Sequence, residues 1–276
     1  MDRIRLIASD MDATLLDEQS QLPADFEETI HALAELGIRF APASGRPLYT
    51  LEELFPTLRD ELVFIGDNGG AIRWKGRNLF TSEMSPEGWR ALNRLTREQG
   101  DIAVLCGLES AYVERPFAVH DAVLRHFYTK IEYVDRLEDV TAPADKFTIY
   151  LPQHNAQQAY DTVYASQRSI YSVAVAGECW VDIMNPGVHK GAALQTLGQL
   201  WGLPSESIMA FGDTYNDAEM LQTVRYGFLM ENGSEPLRQK VPFLAPSHRE
   251  AGVMQVLHRV LTQNGCVCPE DFVPAH

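Results

Sequence analysis

The chain has 276 residues, 45% of them apolar, and its 23 basic and 38 acidic side chains give a net charge of −15. That length suits two domains or one large one, and the apolar fraction supplies a proper core with no low-complexity tract. The acidic balance disfavours nucleic acid or an anionic membrane as partners, since both need basic surface, and no apolar run is long enough for a membrane span.

Met1-Asp2-Arg3 leads straight into a strand rather than a signal peptide. Ile4 to Ala8 reads as a strand buried on both faces, as in a parallel sheet, with Asp10, Asp12 and Thr14 just beyond its end. In an open α/β sheet that end borders the ligand crevice. An exposed carboxylate there can bind a hard cation or attack a phosphoryl group.

Pro23 opens a helical pattern with Asp25, Glu27 and Glu28 in its first turn and Phe26, Ile30, Leu33 and Ala34 on its apolar face. Ile38 to Ala43 is a second strand, running into Ser44-Gly45-Arg46-Pro47. The βαβ connection sets this loop at the same sheet edge as Asp10. A helix over Leu48 to Phe55 and a strand over Leu62 to Ile65 follow. Gly66-Asp67-Asn68-Gly69-Gly70 is a turn, and Ala71 to Phe80 a hairpin around Lys75-Gly76-Arg77.

The pattern changes near Met84. Ser85-Pro86 starts a helix that runs to Gly100. Strands are expected at Ile102 to Cys106, Ala111 to Val113 and Lys146 to Leu151, with helices over Phe117 to Tyr128 and Asn155 to Gln167. Ile170 to Ala176 and Cys179 to Ile183 form a hairpin about Gly177-Glu178. Such a mixture indicates an α+β unit, so residues 84–184 read as a domain inserted between the segments 1–83 and 185–276. Trp180, Tyr112 and Tyr171 either line its inner face or pack its core.

Past Asn185-Pro186-Gly187, a helix over Val188 to Trp201 begins with His189-Lys190-Gly191. The strand Ser207 to Phe211 runs into Gly212-Asp213-Thr214-Tyr215-Asn216-Asp217. A helix through Met220 and Leu221, strands at Tyr226 to Met230 and Phe243 to Ala245, and a helix over Ala251 to Leu261 complete the pattern. The tail after Gly265 has no periodicity and is expected over the surface. The 4 cysteines, Cys106, Cys179, Cys266 and Cys268, lack zinc-ligand spacing, and the last two read as free surface thiols in a cytoplasmic protein.

Asp10-Met11-Asp12-Ala13-Thr14-Leu15-Leu16, Ala43-Ser44-Gly45-Arg46, Asn68-Gly69-Gly70, Gly187-Val188-His189-Lys190-Gly191 and Gly212-Asp213-Thr214-Tyr215-Asn216-Asp217 occur in this order across nearly the whole chain. Each motif is weak alone; together they are specific. The chain resembles the haloacid-dehalogenase-like phosphohydrolases, in particular the Cof-type or IIB subfamily. The resemblance implies an α/β fold with a Rossmann-like parallel-sheet core and an inserted α+β cap domain.

It also implies Asp10 as nucleophile and Asp12 as general acid–base, with an aspartyl-phosphate intermediate. Mg²⁺ would be held by Asp10, the Asp12 main-chain carbonyl and Asp213. Ser44, the Gly45 amide, Asn216 and Lys190 would bind phosphate, and Asp217 would orient Lys190 or a metal-bound water. Arg46 would either steer substrate or pair with a surface acid. His189 has no catalytic part to play. Two departures stand out: Ala13 where the family usually has Gly, and Ser44 in place of the more usual Thr.

The expected function is therefore a Mg²⁺-dependent phosphatase acting on a small-molecule phosphate ester, such as a sugar phosphate or phosphorylated cofactor. A phosphomutase would use the same residues. A non-enzymatic phosphoreceiver is disfavoured by the D-x-D spacing and by the large insertion. Neither substrate nor oligomeric state is legible in the sequence.

Overall fold

In the computed structural model, which describes residues 1–276, Leu6–Ser9 lies inside a six-stranded sheet. The spatial order is Val273–Pro274, Phe243–Ala245, Tyr226–Met230, Ile208–Gly212, Leu6–Ser9, Arg39–Pro42. All pairings are parallel except that of Val273–Pro274. Side chains alternate between the two faces of a strand. Leu6 and Ala8 meet Ala193, Leu194 and Leu197 of the helix Lys190–Trp201. Ile7 meets the opposite layer, where Phe26, Ile30 and Leu33 join Val253, Leu257 and Val260. The result is a three-layer α/β unit with both sheet faces covered.

A second six-stranded sheet is built entirely within residues 102–184, in the order Ser172–Ala176, Trp180–Met184, Ala144–Tyr150, Ile102–Gly107, Ala111–Glu114, Ile131–Val134. It is antiparallel except for its last pair. Its core, with Trp89, Leu105, Phe147 and Ile183, is separate from those of the first unit. Ser85 caps the helix Pro86–Gln99 by accepting from the Gly88 amide, and Gly100 ends it at φ 75°. The passages into and out of this unit are tied by Asn185, whose Nδ2 donates to Ser82 O at 3.2 Å and Glu83 O at 2.8 Å.

A small antiparallel sheet, Val63–Gly66, Ala71–Trp74 and Arg77–Thr81, adjoins the main sheet through an Ala43–Ile65 bridge. Its hairpin turns at Lys75 and Gly76, both at positive φ, which suits the right-handed twist of paired strands. No helix is long and apolar enough to cross a membrane.

Several elements differ from expectation. The helix expected over Phe117 to Tyr128 is a 3-10 segment, Arg115–His120, followed by a short α-helix, Asp121–Phe127. The helix expected to reach Gln167 stops at Thr162. Ala176 pairs with Trp180, so the hairpin loop holds three residues, 177 to 179, instead of two. The tail does not simply lie over the surface. Cys266–Val267 pairs with Asp2–Arg3, Val273–Pro274 adds a strand beside Phe243–Ala245, and the Phe272 ring stands edge-on to Phe228. Two-residue strands show no periodicity, so their role came only from what they pair with. Cys266 and Cys268 are free and half-buried.

Candidate active site

The parallel register sets the candidate loops side by side. Ser9 pairs with Phe211 and Pro42, and the Asp10 amide donates to Phe211 O at 2.9 Å. Asp10 therefore emerges next to Gly212-Asp213 and one strand from Ser44. After Asp10 the chain makes a tight turn in which Ala13 takes φ 58°, the left-handed region that favours glycine. The adjacent Thr14 hydroxyl donates to Asp213 Oδ1 at 3.5 Å.

Lys190 opens its helix with the ammonium fully buried between two carboxylates, 2.5 Å from Asp10 Oδ1 and 2.7 Å from Asp217 Oδ1. His189 caps the same helix, its Nδ1 accepting from the Ala192 amide at 3.1 Å. Asp217 is held by its other oxygen, which accepts from the amides of Asp213 at 3.0 Å and Thr214 at 3.2 Å. This grip requires glycine nearby: a Cβ on Gly212 would stand 2.5 Å from Asp217 Cβ, and one on Gly191 would stand 2.7 Å from the Glu219 backbone.

Ser44 is buried, and its hydroxyl accepts from the Arg46 amide at 3.1 Å. The Arg46 side chain pairs with an acid: its Nη2 donates to both oxygens of Asp12, at 2.8 and 3.1 Å. Asp12 is the exposed member of the acid pair, and Asp10 the buried one. Asn216 is exposed, and its amide reaches Asn68 Oδ1 at 3.5 Å.

Electrostatics single out the Asp10 side. Burial pushes Asp10 up to about 8, opposed by Lys190 and reinforced by Asp217 and Asp213. Burial, with Asp217, pushes Asp213 up to about 6. Burial works against the Lys190 ammonium, yet Asp10 and Asp217 hold it above its ordinary range. Carboxylate oxygens of Asp10, Asp213 and Asp217 lie within 4.8 Å of one another. Three acids around one ammonium leave negative charge uncompensated, and oxygen donors are what a hard divalent cation takes. Asp10 and Asp213 fit that ion best, because both oxygens of Asp217 already accept hydrogen bonds.

Three groups near the site escaped the sequence reading: Lys146, Asp182 and Asn68. Lys146 and Asp182 lie in buried strands of the second sheet, and Asn68 belonged to a motif without an assigned part. The available signal was a charged residue inside an otherwise apolar strand, as in Lys146-Phe147-Thr148-Ile149.

Asp10, Asp12, Ser44, Arg46, Asp213 and Asn216 share one cleft of about 870 Å³, whose far wall comes from the second unit and includes Phe127 and Trp180. The Trp180 ring lies tilted against Tyr150 at 4.6 Å and edge-on to Phe127 at 5.0 Å. Tyr112 and Tyr171 instead pack against the core of that unit.

A curated relative from Escherichia coli (strain K12), 5-amino-6-(5-phospho-D-ribitylamino)uracil phosphatase YbjI, is 31% identical over 94% of this chain and 96% of its own. The HMP-PP phosphatase of Cronobacter sakazakii is 30% identical over 87% of this chain and 89% of its own. The crystal structure of SMU.1108c from Streptococcus mutans UA159 superposes with a TM-score of 0.85 at 27% identity, covering 94% of this chain and 99% of that one. The model of the haloacid dehalogenase-like hydrolase family matches residues 7–257, and the chain belongs to that family.

Proposed function

We propose that this hydrolase is a Mg²⁺-dependent phosphatase that cleaves a small phosphorylated metabolite through a phosphoaspartate on Asp10. The observation that carries the reading is the cluster of Asp10, Asp213 and Asp217 at the buried ammonium of Lys190, beside a cleft of metabolite size. Asp10, the Asp12 main-chain carbonyl and Asp213 would hold Mg²⁺, which when bound would supply positive charge at the transferring phosphoryl group.

The chain's own groups do the rest. Lys190 favours the ionised form of Asp10 against burial and aims it, and Asp217 orients Lys190. An Asp10 oxygen attacks phosphorus, the ester P–O bond breaks, and Asp12 hands its proton to the leaving oxygen. Asp12 then takes a proton from water as the water oxygen attacks phosphorus, which breaks the bond to Asp10 and frees phosphate. Asp12 must leave Arg46 to do this, since in the present state that guanidinium occupies both of its oxygens. Ser44, the Gly45 amide, Lys190 and Asn216 donate to the phosphate oxygens.

Residues 84–184 act as the cap that closes the cleft and selects the leaving group. The aromatic wall at Phe127 and Trp180 suits a flat heterocycle. 5-amino-6-(5-phospho-D-ribitylamino)uracil and HMP-PP, the compounds in the names of the two curated relatives, are the first to try.

The test is phosphate release across a panel of phosphorylated metabolites with MgCl₂, using wild type and Asp10→Asn. The expected result is inorganic phosphate as product, and none from Asp10→Asn. An isomerised sugar phosphate would instead identify a mutase, and turnover by Asp10→Asn would exclude the covalent step.

A further inference from the structure

The polar contacts between the second sheet and the main unit gather on residues 45–73 and centre on one buried lysine. Lys146, in the strand Ala144–Tyr150, is 2% exposed. Its Nζ donates to the main-chain oxygen of Gly45 at 2.6 Å, pairs with Asp67 at 3.0 Å and faces Asp182 at 3.6 Å. Asp182 is itself held from both sides, accepting from Thr148 at 2.7 Å and from Asn68 Nδ2 at 3.2 Å. The Asn68 main-chain N–H donates to Ser44 O at 2.9 Å. The turn at Ser44-Gly45 is thus gripped at two successive carbonyls, one from its own unit and one from the second sheet.

Burying an ammonium in a sheet is expensive, and an apolar residue would fill the strand more cheaply unless the charge has a task. The other end of the Ser44-Gly45 turn carries the Ser44 hydroxyl and the Gly45 N–H. A donor on Gly45 O sets the plane of the peptide that follows Gly45, and the backbone torsions of that residue carry the setting to its N–H. A Cβ on Gly45 would come 3.3 Å from the Asn68 amide, so the turn has little space in which to relax.

We infer that Lys146 is a positioning residue: by holding the Gly45 carbonyl from the second sheet, it completes the phosphate-binding turn only while that sheet is seated on the main unit. This rests on the phosphatase reading given above. It makes the site's grip on phosphate depend on a residue that touches neither substrate nor metal, and so couples closure of the cleft to binding.

The experiment compares wild type, Lys146→Met and Lys146→Met/Asp67→Asn. The double variant removes the nearer of the two acids that the first would leave without a cation, Asp182 keeping its hydrogen bonds from Thr148 and Asn68, and Asn tolerates the φ of 50° at position 67. Steady-state kinetics on p-nitrophenyl phosphate with MgCl₂ are read alongside calorimetric titration with inorganic phosphate and thermal melting. The expected result is a rise in KM and in the phosphate Kd by a common factor of about 10–100, as for loss of a charged hydrogen bond, with kcat changed by less than about threefold.

A folded variant whose KM and phosphate Kd stay within about twofold of wild type overturns the inference. So does unfolding of both variants, which would make Lys146 purely structural. Asp10→Asn separates the two levels of the argument. If it abolishes wild-type turnover while the Lys146 variants behave as wild type, only the positioning role falls. If wild type neither turns over nor binds phosphate, the phosphatase reading falls first and takes the inference with it.

Discussion

Lys190 and Asp10 are 180 positions apart in the chain, yet their side chains meet at 2.5 Å with the lysine wholly buried. The ammonium has a second partner in Asp217 at 2.7 Å, so it is shared between the proposed nucleophile and a carboxylate that is itself anchored on two amides. Such an arrangement sets the lysine's position before any substrate arrives, which is what preorganised charge requires.

Lys190→Met keeps the stem and removes the charge. The expected outcome is a fall in kcat/KM of roughly 10²–10³ on whichever phosphate ester proves best. Two buried carboxylates lose their cation as well, so the melting temperature should fall. Mg²⁺ affinity should hold or rise, because a competing cation has gone. Near-wild-type kcat/KM would show that phosphate transfer does not need this ammonium.

Gly212→Ala tests the anchoring of Asp217. The new Cβ would lie 2.5 Å from Asp217 Cβ and 2.6 Å from its Cγ, so the acid has to move away from the Asp213 and Thr214 amides. Overpacking of this kind destabilises by about 1–3 kcal/mol. Denaturant melts should show that loss, and kcat should fall at least about tenfold through misplacement of Lys190. A stable variant with unchanged kcat would mean that Asp217 has no part in aiming Lys190.

How much of this was legible depended on the range of the interaction. The Asp10, Ser44 and Asp213 loops could be read because each follows a short apolar run, and parallel topology brings such strand ends to one edge. The parallel pairs Ala8–Ala41 and Ala8–Ala210 deliver that arrangement. The contacts of Lys190 with Asp10 and of Arg46 with Asp12 could not be read, since nothing local says which acid a buried or half-buried cation will face; Asp217 was set beside Lys190 only by the family resemblance. Lys146 was hidden for a related reason: one charge in a strong β pattern does not alter the strand assignment, and its partners Gly45 and Asp67 come from another unit. Ile131–Val134 was missed because a four-residue edge strand with Glu132 exposed gives too short a pattern to count.

Ala13→Gly examines the departure from the family's first motif. Ala13 holds φ 58°, where an L side chain costs about 1–2 kcal/mol, whereas glycine adds about 0.5–1 kcal/mol of unfolded-chain entropy. The net expectation is a gain of roughly 0.5–1 kcal/mol in denaturant unfolding, with activity retained. A loss of stability would mean that the Ala13 methyl makes contacts worth more than its backbone strain.

The metal reading can be tested without turnover, through the pH dependence of stability. In the metal-free protein, burial raises Asp10 to about 8 and Asp213 to about 6, against an ordinary value of 3.8. Between these limits the folded state binds more protons than the unfolded chain, so stability falls as pH rises. This contribution is fully present below the unfolded value and is lost as pH passes through about 6 for Asp213 and about 8 for Asp10. Asp67 and Asp145, which burial also raises, add a slope of the same sign. They lie away from the proposed ion, so they affect metal-free and metal-loaded protein alike. A cation at Asp10 and Asp213 replaces the protons there, and its stabilisation should therefore grow with pH. Melting curves of EDTA-treated protein with and without saturating MgCl₂, at about pH 5.5, 7 and 8.5 and constant ionic strength, read the difference directly. The gap between the two curves should widen at each step. A gap that is the same at all three, or absent throughout, would remove Asp10 and Asp213 as the ligands.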